Sequence, residues 1–85
     1  MTVTVRLYAN LPEKLAQRGA GQGIQAGAKL DLELPSPSRL VNLLSQLRLE
    51  RGEVLTAFVN GRARDLDHVL EPGDEVGLFP PVGGG

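Results

Sequence analysis

The feature that most limits what this chain can fold into is a stripe of four leucines near its middle. They follow the i, i+3, i+4, i+7 spacing that places apolar side chains on one face of an α-helix: Leu40, Leu43, Leu44 and Leu47. The stripe predicts a helix over residues 37–49, with Ser36 as its N-cap, Pro37 at its first position and Gly52 placed to end it. No other full-length helix is predicted, so this one must cover the sheet formed by the rest of the chain.

Segments that alternate apolar and polar residues flank this helix on both sides, and alternation of this kind is typical of half-buried strands. The predicted strands cover residues 2–8, 29–34, 54–59, 62–64 and 75–79. Asn60-Gly61 is a strong hairpin signal between the third and fourth strands. Residues 71–74 predict a turn before the last strand, and residues 10–16 predict a short helical turn after the first.

This order of elements predicts an α+β fold of the β-grasp, or ubiquitin-like, type. It consists of a mixed four- to five-stranded sheet with one main helix packed on one face, and the first and last strands lie parallel in the centre. The alternative is a ferredoxin-like βαββαβ fold, but that fold requires a second full-length helix, which the sequence does not predict. The predicted domain covers residues 1–79, and residues 80–85 form a flexible tail.

The charge and the residue composition of the chain limit the classes of partner it can bind and the compartment in which we expect it. Nine Lys and Arg against ten Asp and Glu give a formal net charge of −1, which argues against binding to nucleic acid or to an anionic membrane through bulk charge. No stretch approaches the ~20 apolar residues of a membrane span, and the first residues do not resemble a signal peptide, so we expect a cytoplasmic protein. The absence of cysteine fits a reducing compartment and excludes thiol nucleophiles and cysteine-ligated metal centres.

The candidate functional element is the C-terminal segment Phe79-Pro80-Pro81-Val82-Gly83-Gly84-Gly85. The two prolines end the preceding strand because they cannot donate backbone hydrogen bonds to a sheet. The three glycines carry no side chain, so the segment can enter a narrow channel and present its α-carboxylate there. Six residue steps of ~3.3 Å each let that carboxylate reach about 20 Å from Phe79.

Three other patterns are weaker candidates for chemistry. The glycines of residues 19–23 superficially resemble a phosphate-binding loop, but no helix opens directly after them, so a flexible loop is the better interpretation. His68 is the only imidazole and has no set of further ligands around it. Glu71, Asp74 and Glu75 fit turn chemistry better than a magnesium site. We therefore predict no metal site and no bound cofactor.

Three segments together resemble the ubiquitin-like sulfur carriers of the MoaD/ThiS type: residues 57–62 (AFVNGR), 70–76 (LEPGDEV) and, above all, 79–85 (FPPVGGG). The Phe-Pro-Pro-Val-x-Gly-Gly ending is a highly specific motif. The likeness is nearest to the small subunit of molybdopterin synthase and more distant to the thiamine-pathway sulfur carrier. Gly83 is a departure, since relatives often carry Thr, Ala or Ser at that position.

The resemblance implies a definite chemistry at the C terminus. An adenylating enzyme of the ubiquitin-activating type, which uses ATP and Mg, converts the carboxylate of Gly85 to an acyl-adenylate. A persulfide sulfur donor then displaces AMP to leave a thiocarboxylate. The large subunit of molybdopterin synthase holds the tail while the sulfur passes to a pterin precursor to build the dithiolene. Gly85 and its neighbour Gly84 are thus the reactive end of a subunit that donates sulfur and leaves the catalysis to its partners.

The pleat of the strands predicts where such partners dock. If Ala57 and Val59 point to the core, Phe58 points outward, and an inward Leu78 likewise leaves Phe79 outward. This aromatic pair on the face away from the helix is a candidate binding surface, and Arg62 is a candidate for steering an acidic partner. The predicted contact set is completed by the first tail residues, Pro80, Pro81, Val82 and Gly83.

Other functions stay open at this stage. A sulfur carrier for thiamine or thiolated-tRNA synthesis, or a ubiquitin-like modifier joined to lysines, shares the tail chemistry up to activation. A non-covalent regulatory or RNA-binding β-grasp module belongs to a different class. That class predicts that deletion of Gly84 and Gly85 has no effect.

Overall fold

A computed structural model describes residues 1–81 of the chain, and a pair of parallel strands lies at its centre. These are β1 (Thr2–Leu7) and β5 (Glu75–Phe79). β2 (Lys29–Glu33) pairs antiparallel with β1, β3 (Thr56–Val59) pairs antiparallel with β5, and β4 (Arg62–Arg64) pairs antiparallel with β3. The resulting order is β2-β1-β5-β3-β4. The predicted β-grasp topology, with the first and last strands parallel in the centre, is confirmed.

Two helices cover the sheet: the predicted main helix, and a helix where a short helical turn was predicted over residues 10–16. α1 (Leu11–Gln17) and α2 (Leu40–Gln46) have seven residues each, and a 3₁₀ helix, η1 (Arg51–Glu53), follows α2. The buried leucines of both helices belong to the same hydrophobic cluster as the inward face of the sheet. Within residues 1–81, no helix is both long enough and apolar enough to cross a membrane.

The start of α2 differs from the prediction. Ser36 is not the N-cap, and the Ser36–Pro37 peptide bond is cis. The helix begins after Arg39, whose backbone N–H donates to Asn42 Oδ1 at 2.7 Å. The backbone just before the helix is engaged elsewhere, because Ser38 O accepts from the N–H of Leu70 at 2.8 Å. Tertiary pairing with residues 68–70 thus keeps residues 37–39 out of the helix.

The end of α2 also differs from the prediction, which placed the stop at Gly52. The helix ends in a Schellman motif, in which Leu49 N–H donates to Leu44 O at 2.9 Å and Arg48 N–H donates to Ser45 O at 3.0 Å. Arg48 occupies the left-handed position, with φ of 59°. This turn returns Leu49 to the core, where it is buried. Gly52 instead lies inside η1.

The core lies between the inward face of the sheet and the two helices. Alternate residues of β1, β3 and β5 supply one side, and the apolar faces of α1 and α2 supply the other. The side chains that are fully buried are Leu7, Leu11, Leu15, Leu40, Leu43, Leu44, Leu78, Val3, Val5 and Val76. The leucine stripe is therefore used for core packing.

An ion-pair group fastens α1 to η1 at the edge of this core. Glu53 contacts the guanidinium of Arg18 at 2.5 Å and the ammonium of Lys14 at 3.1 Å. The hydrogen bond from Arg18, followed by the backbone N–H of Glu50 and then Lys14, holds the pKa of Glu53 well below its usual range. The same hydrogen bond raises the pKa of Arg18. The group joins α1, which precedes α2 in the chain, to η1, which follows it.

Candidate functional site

Three aromatic side chains lie together on the sheet face that is turned away from the helices. Tyr8 and Phe79 stack, with ring centroids 4.4 Å apart and an interplanar angle of 2°. Phe58 meets Phe79 edge-on, at 5.6 Å and 80°. Phe79 exposes 36% of its surface, and the other two rings are half-buried. Such stacked and edge-on contacts are favourable, so this aromatic cluster (Tyr8, Phe58 and Phe79) is held together while presenting apolar surface to solvent.

The pleat of β3 and β5 explains two members of the cluster. Ala57 and Val59 are buried at 3% and 4% exposure, which leaves Phe58 on the opposite face. Leu78 is fully buried, so Phe79 also turns outward. The predicted outward orientation of both rings is confirmed. The antiparallel register of β3 and β5, which pairs residue 56 with residue 79, brings the two rings together.

Tyr8 is the member that sequence reasoning missed as a site residue. Alternation along the first strand puts Tyr8 on the face opposite the buried Leu7, but its neighbours depend on the pairing of β1 with β5. Leu7 pairs with Leu78, and Tyr8 N–H donates to Leu78 O at 3.1 Å, which puts Tyr8 beside Phe79. The signal that would have found it is the predicted parallel pairing of the first and last strands, combined with the outward alternation.

A mostly apolar groove of about 520 Å³ lies where the tail leaves the sheet. We call it the tail-root groove, and it is lined by Ala9, Asn10, Leu55, Thr56, Phe58, Phe79, Pro80 and Pro81. Leu55 is 68% exposed, and its N–H donates to Phe79 O at 2.9 Å. Sequence reasoning did not include Leu55. Exposed apolar side chains that adjoin one another in a groove are typical of an interaction surface.

A polar clamp fixes the start of β5 to the hairpin between β3 and β4. Asp74 Oδ1 accepts from Asn60 Nδ2 at 2.9 Å, and Asp74 Oδ2 accepts from the N–H of Glu71 at 2.8 Å. Asn60 Oδ1 in turn accepts from the N–H of Glu75 at 3.0 Å. Asn60 and Gly61 both have positive φ, 52° and 84°, as a type I′ hairpin turn requires. The predicted Asn-Gly hairpin is confirmed, and the carboxylate of Asp74 belongs to the turn.

Arg62 lies away from the aromatic cluster. It pairs with Val59, which faces the core, so the two side chains share the helix side of the sheet. There Arg62 and Arg64 line a small polar depression of about 310 Å³ together with His68. The structure therefore brings Phe58, Phe79, Pro80 and Pro81 together, and it does not bring Arg62 to them.

The backbone of His68 helps to hold the start of α2 in place. Its backbone N–H donates to Asp65 O at 2.9 Å, and its carbonyl accepts from the N–H of Leu40 at 3.0 Å, at the first residue of α2. Among residues 1–81, no group of three or more His, Cys, Asp or Glu side chains is placed to hold a metal ion.

The start of the tail adjoins the aromatic cluster. β5 ends at Phe79, Pro80 is half-buried and Pro81 is exposed. The predicted site residues Val82, Gly83, Gly84 and Gly85 lie outside the described residues. Their roles, and the predicted division of the chain into residues 1–79 and a tail, stay predictions.

Comparison with solved structures supports the fold. SAMP1 from Haloferax volcanii is 21% identical over the full length of both chains, with a TM-score of 0.69. The putative molybdopterin converting factor subunit 1 from Pyrococcus furiosus is 27% identical, covering 96% of this chain and 99% of that one, with a TM-score of 0.67. A complex of subunits 1 and 2 of the molybdopterin-converting factor from Helicobacter pylori contains a chain that is 24% identical over the full length of both, with a TM-score of 0.57.

No curated protein matches the chain significantly. The model of the ThiS family, however, matches residues 20–85, which is most of the chain and includes α2, the last three strands and the glycine tail. The predicted resemblance is therefore confirmed: the chain belongs to the ThiS family, a family of ubiquitin-like sulfur carriers with the β-grasp fold.

Proposed function

We propose that this protein carries sulfur as a thiocarboxylate on Gly85 and donates it to the dithiolene of molybdopterin, as the small subunit of a molybdopterin synthase in the cytoplasm. Gly85 is the residue that is adenylated and then loaded with sulfur. The protein binds no cofactor of its own, and ATP and Mg are used by its activating enzyme.

The observation that carries this proposal is that the tail begins inside an exposed apolar surface. Phe79 is at once the last residue of the central strand β5 and the middle ring of the aromatic cluster. Pro80 and Pro81 line the groove beside it. A partner that binds this surface therefore lies next to Phe79, the residue from which the tail starts. From Phe79 the carboxylate of Gly85 reaches about 20 Å, at ~3.3 Å for each residue.

Carboxylate chemistry explains why partners are needed. An ionised α-carboxylate, with a pKa of about 3.5, is a poor electrophile, so the adenylating enzyme transfers AMP from ATP to Gly85 and releases pyrophosphate. The terminal sulfur of a persulfide donor then attacks the acyl carbon and AMP leaves. A thiol then attacks the donor's sulfur in the resulting acyl disulfide, so that these two sulfurs form a disulfide and the thiocarboxylate of Gly85 is released. Gly84 keeps the approach to the acyl carbon free of side chains.

Relatives support the choice of partner. The Pyrococcus furiosus chain described as a molybdopterin converting factor subunit 1 is the more similar in sequence of the two molybdopterin-factor structures, at 27% identity. The Helicobacter pylori structure is a complex of subunits 1 and 2. We therefore assign the large subunit of the synthase as the acceptor of the loaded tail. The aromatic cluster and the tail-root groove are the docking surface for it and for the adenylating enzyme, and Val82 and Gly83 extend the contact into the partner.

A second candidate is a protein modifier joined to lysines. The likeness of the fold to SAMP1 of Haloferax volcanii, described elsewhere among the solved structures as small archaeal modifier protein 1, favours this alternative. The two functions share adenylation and separate afterwards, since a modifier ends in an isopeptide bond while a carrier of this kind ends in a thiocarboxylate that is consumed by the synthase.

Intact-mass spectrometry of the protein, purified from its own host, tests the proposal. We expect a mass gain of one sulfur-for-oxygen exchange, located on the C-terminal peptide, and we expect the same gain after incubation with ATP, the cognate adenylating enzyme and a persulfide donor. Conjugates to other proteins without a thiocarboxylate would favour the modifier instead.

A variant that lacks Gly84 and Gly85 is the matched control. It should keep the thermal stability of the full chain, because both residues lie beyond the last strand, and it should gain no sulfur. An unchanged ability of this variant to support dithiolene formation would refute the proposal and favour a non-covalent module.

A further inference from the structure

A second depression crosses the outer face of the sheet next to the aromatic cluster. Its volume is about 520 Å³, and its floor is Gly77, in the middle of β5. Arg6 and Phe58 are the cross-strand neighbours of Gly77 on either side. A side chain at position 77 would begin to fill it, since a Cβ there would lie 3.4 Å from the ring of Tyr8. Because Gly77 has no side chain, it leaves an opening between the side chains of Arg6 and Phe58.

The cation in this depression lacks an acidic partner within residues 1–81. Arg6 makes no side-chain hydrogen bond or ion pair to any of these residues, and its direct neighbour on β2 is Lys29. Two carboxylates of β2 accept from threonines: Thr4 donates to Asp31 at 2.9 Å, and Thr2 donates to Glu33. A third carboxylate, that of Glu75 on β5, lines the same depression but makes no ion pair with Arg6. Like charges directly opposite one another in a sheet repel. A negative charge brought by a partner would relieve that repulsion.

The other end of the depression carries the opposite charge. Glu75 lines it two residues before Gly77 on the same strand and pairs with Thr4. A carboxylate that enters is therefore attracted at the Arg6 end and repelled at the Glu75 end, which gives the bound group one orientation. Polyanions such as nucleic acids require a row of cations, whereas this surface offers one arginine and one lysine beside apolar rings, a combination suited to a single acidic side chain of a protein.

We infer that an Asp or Glu side chain of the large synthase subunit inserts above Gly77 and pairs with Arg6, while Phe58 and Tyr8 contact its methylene groups. The guanidinium fork of arginine matches a carboxylate in two parallel hydrogen bonds. The inference rests on the proposed function for the identity of the partners, and it adds a charged recognition element to the apolar docking surface.

Binding measurements with two purified probes test it: the adenylating enzyme and the large synthase subunit of the same organism. Isothermal titration calorimetry at low and high salt would compare the unchanged protein with Arg6→Glu and Gly77→Val. We expect Arg6→Glu to weaken binding to the large synthase subunit by about 10- to 100-fold, as loss of a charge-assisted hydrogen bond implies. Gly77→Val should also weaken this binding, because its side chain fills part of the depression. High salt should weaken binding of the unchanged protein and strengthen binding of Arg6→Glu, because it screens an attraction in the first case and a repulsion in the second.

Arg51→Glu is the matched control, because it makes the same change of charge at an exposed arginine of η1, on the helix side. It should bind as the unchanged protein does. Thermal unfolding checks that each variant is folded. If Gly77→Val does not fold, the binding affinity of Arg6→Glu alone tests the inference. The inference is overturned if Arg6→Glu and Arg51→Glu weaken binding equally, or if Arg6→Glu leaves binding unchanged. Either result would count against it even if Gly85 gains sulfur normally. Selective weakening by Arg6→Glu without sulfur loading of Gly85 would instead uphold the surface and refute the proposed function.

Discussion

The clamp between Asn60 and Asp74 provides the sharpest test of how this fold positions its tail. Asp74 is only 8% exposed, and its carboxylate accepts hydrogen bonds from Asn60 Nδ2 at 2.9 Å and from the N–H of Glu71 at 2.8 Å. Asp74→Ala removes both acceptors and leaves two donors facing a partly closed site. The clamp joins the hairpin to the first residue of β5, the strand that ends in Phe79.

The expected cost follows from these contacts. A hydrogen bond to a charged group contributes ~1.5–3 kcal/mol, but both donor residues are exposed and water can replace part of the interaction. We therefore expect Asp74→Ala to lower the free energy of unfolding by roughly 3 kcal/mol in total. For a domain of this size, each kcal/mol corresponds to about 4–8 °C in Tm, so the melting temperature should fall by about 12–24 °C.

A double-mutant cycle separates the clamp from other effects. Asn60→Gly removes the side chain while glycine tolerates the positive φ of 52° at this turn position. Urea unfolding followed by circular dichroism at neutral pH would give the free energies of the two single variants and the double variant. We expect a coupling energy of about 1–2 kcal/mol. If the single effects add to within ~0.5 kcal/mol, Asn60 and Asp74 do not act as one clamp, and our reasoning about the start of β5 is wrong.

Three further predictions concern the core, the ion-pair group and the groove. Leu43→Ala, at a fully buried position of α2, should cost about 2–5 kcal/mol in urea unfolding; a loss below ~1 kcal/mol would contradict the core assignment. Because the folded state lowers the pKa of Glu53, its contribution is fully present above the unfolded pKa of about 4.3 and is lost as pH falls through the folded value. Glu53→Gln should therefore be less stable than the unchanged protein at neutral pH, with a gap that narrows below about pH 4; a gap independent of pH would refute this. Leu55→Ala, at a 68% exposed position, should change stability by less than ~0.5 kcal/mol but weaken binding of the large synthase subunit, and unchanged calorimetric binding would exclude Leu55 from the docking surface.

Local patterns in the sequence were sufficient for the strands, the hairpin and the orientation of two rings. Alternation assigns each residue of a strand to one of two faces without knowledge of any partner strand, which is why the outward positions of Phe58 and Phe79 were predicted correctly. The Asn60-Gly61 turn depends on positive φ at two adjacent residues, which is also a local property. The family motif at residues 79–85 is contiguous and needs no fold to be recognised.

The limits of α2 were decided by tertiary contacts. The leucine spacing continues through residue 47, and the buried leucines at 47 and 49 serve the core after the helix has ended. Residues 38–40 pair with residues 68–70, and Arg48 takes a left-handed turn so that Leu49 can pack. The local pattern predicts neither feature, because each depends on a segment that is distant in the chain or on space in the core.

Register decided the composition of the candidate site. Which residues become neighbours across a sheet depends on how separate strands are aligned, and a shift of one residue would exchange the two faces. The alignment of β1 with β5 adds Tyr8 to the aromatic cluster, and the alignment of β3 with β4 places Arg62 on the helix side. The chain by itself determined the elements and the family motif at its C terminus, because these arise from neighbours in sequence. The surface around the origin of the tail arises from strand pairing between distant segments, and only the folded structure specifies it.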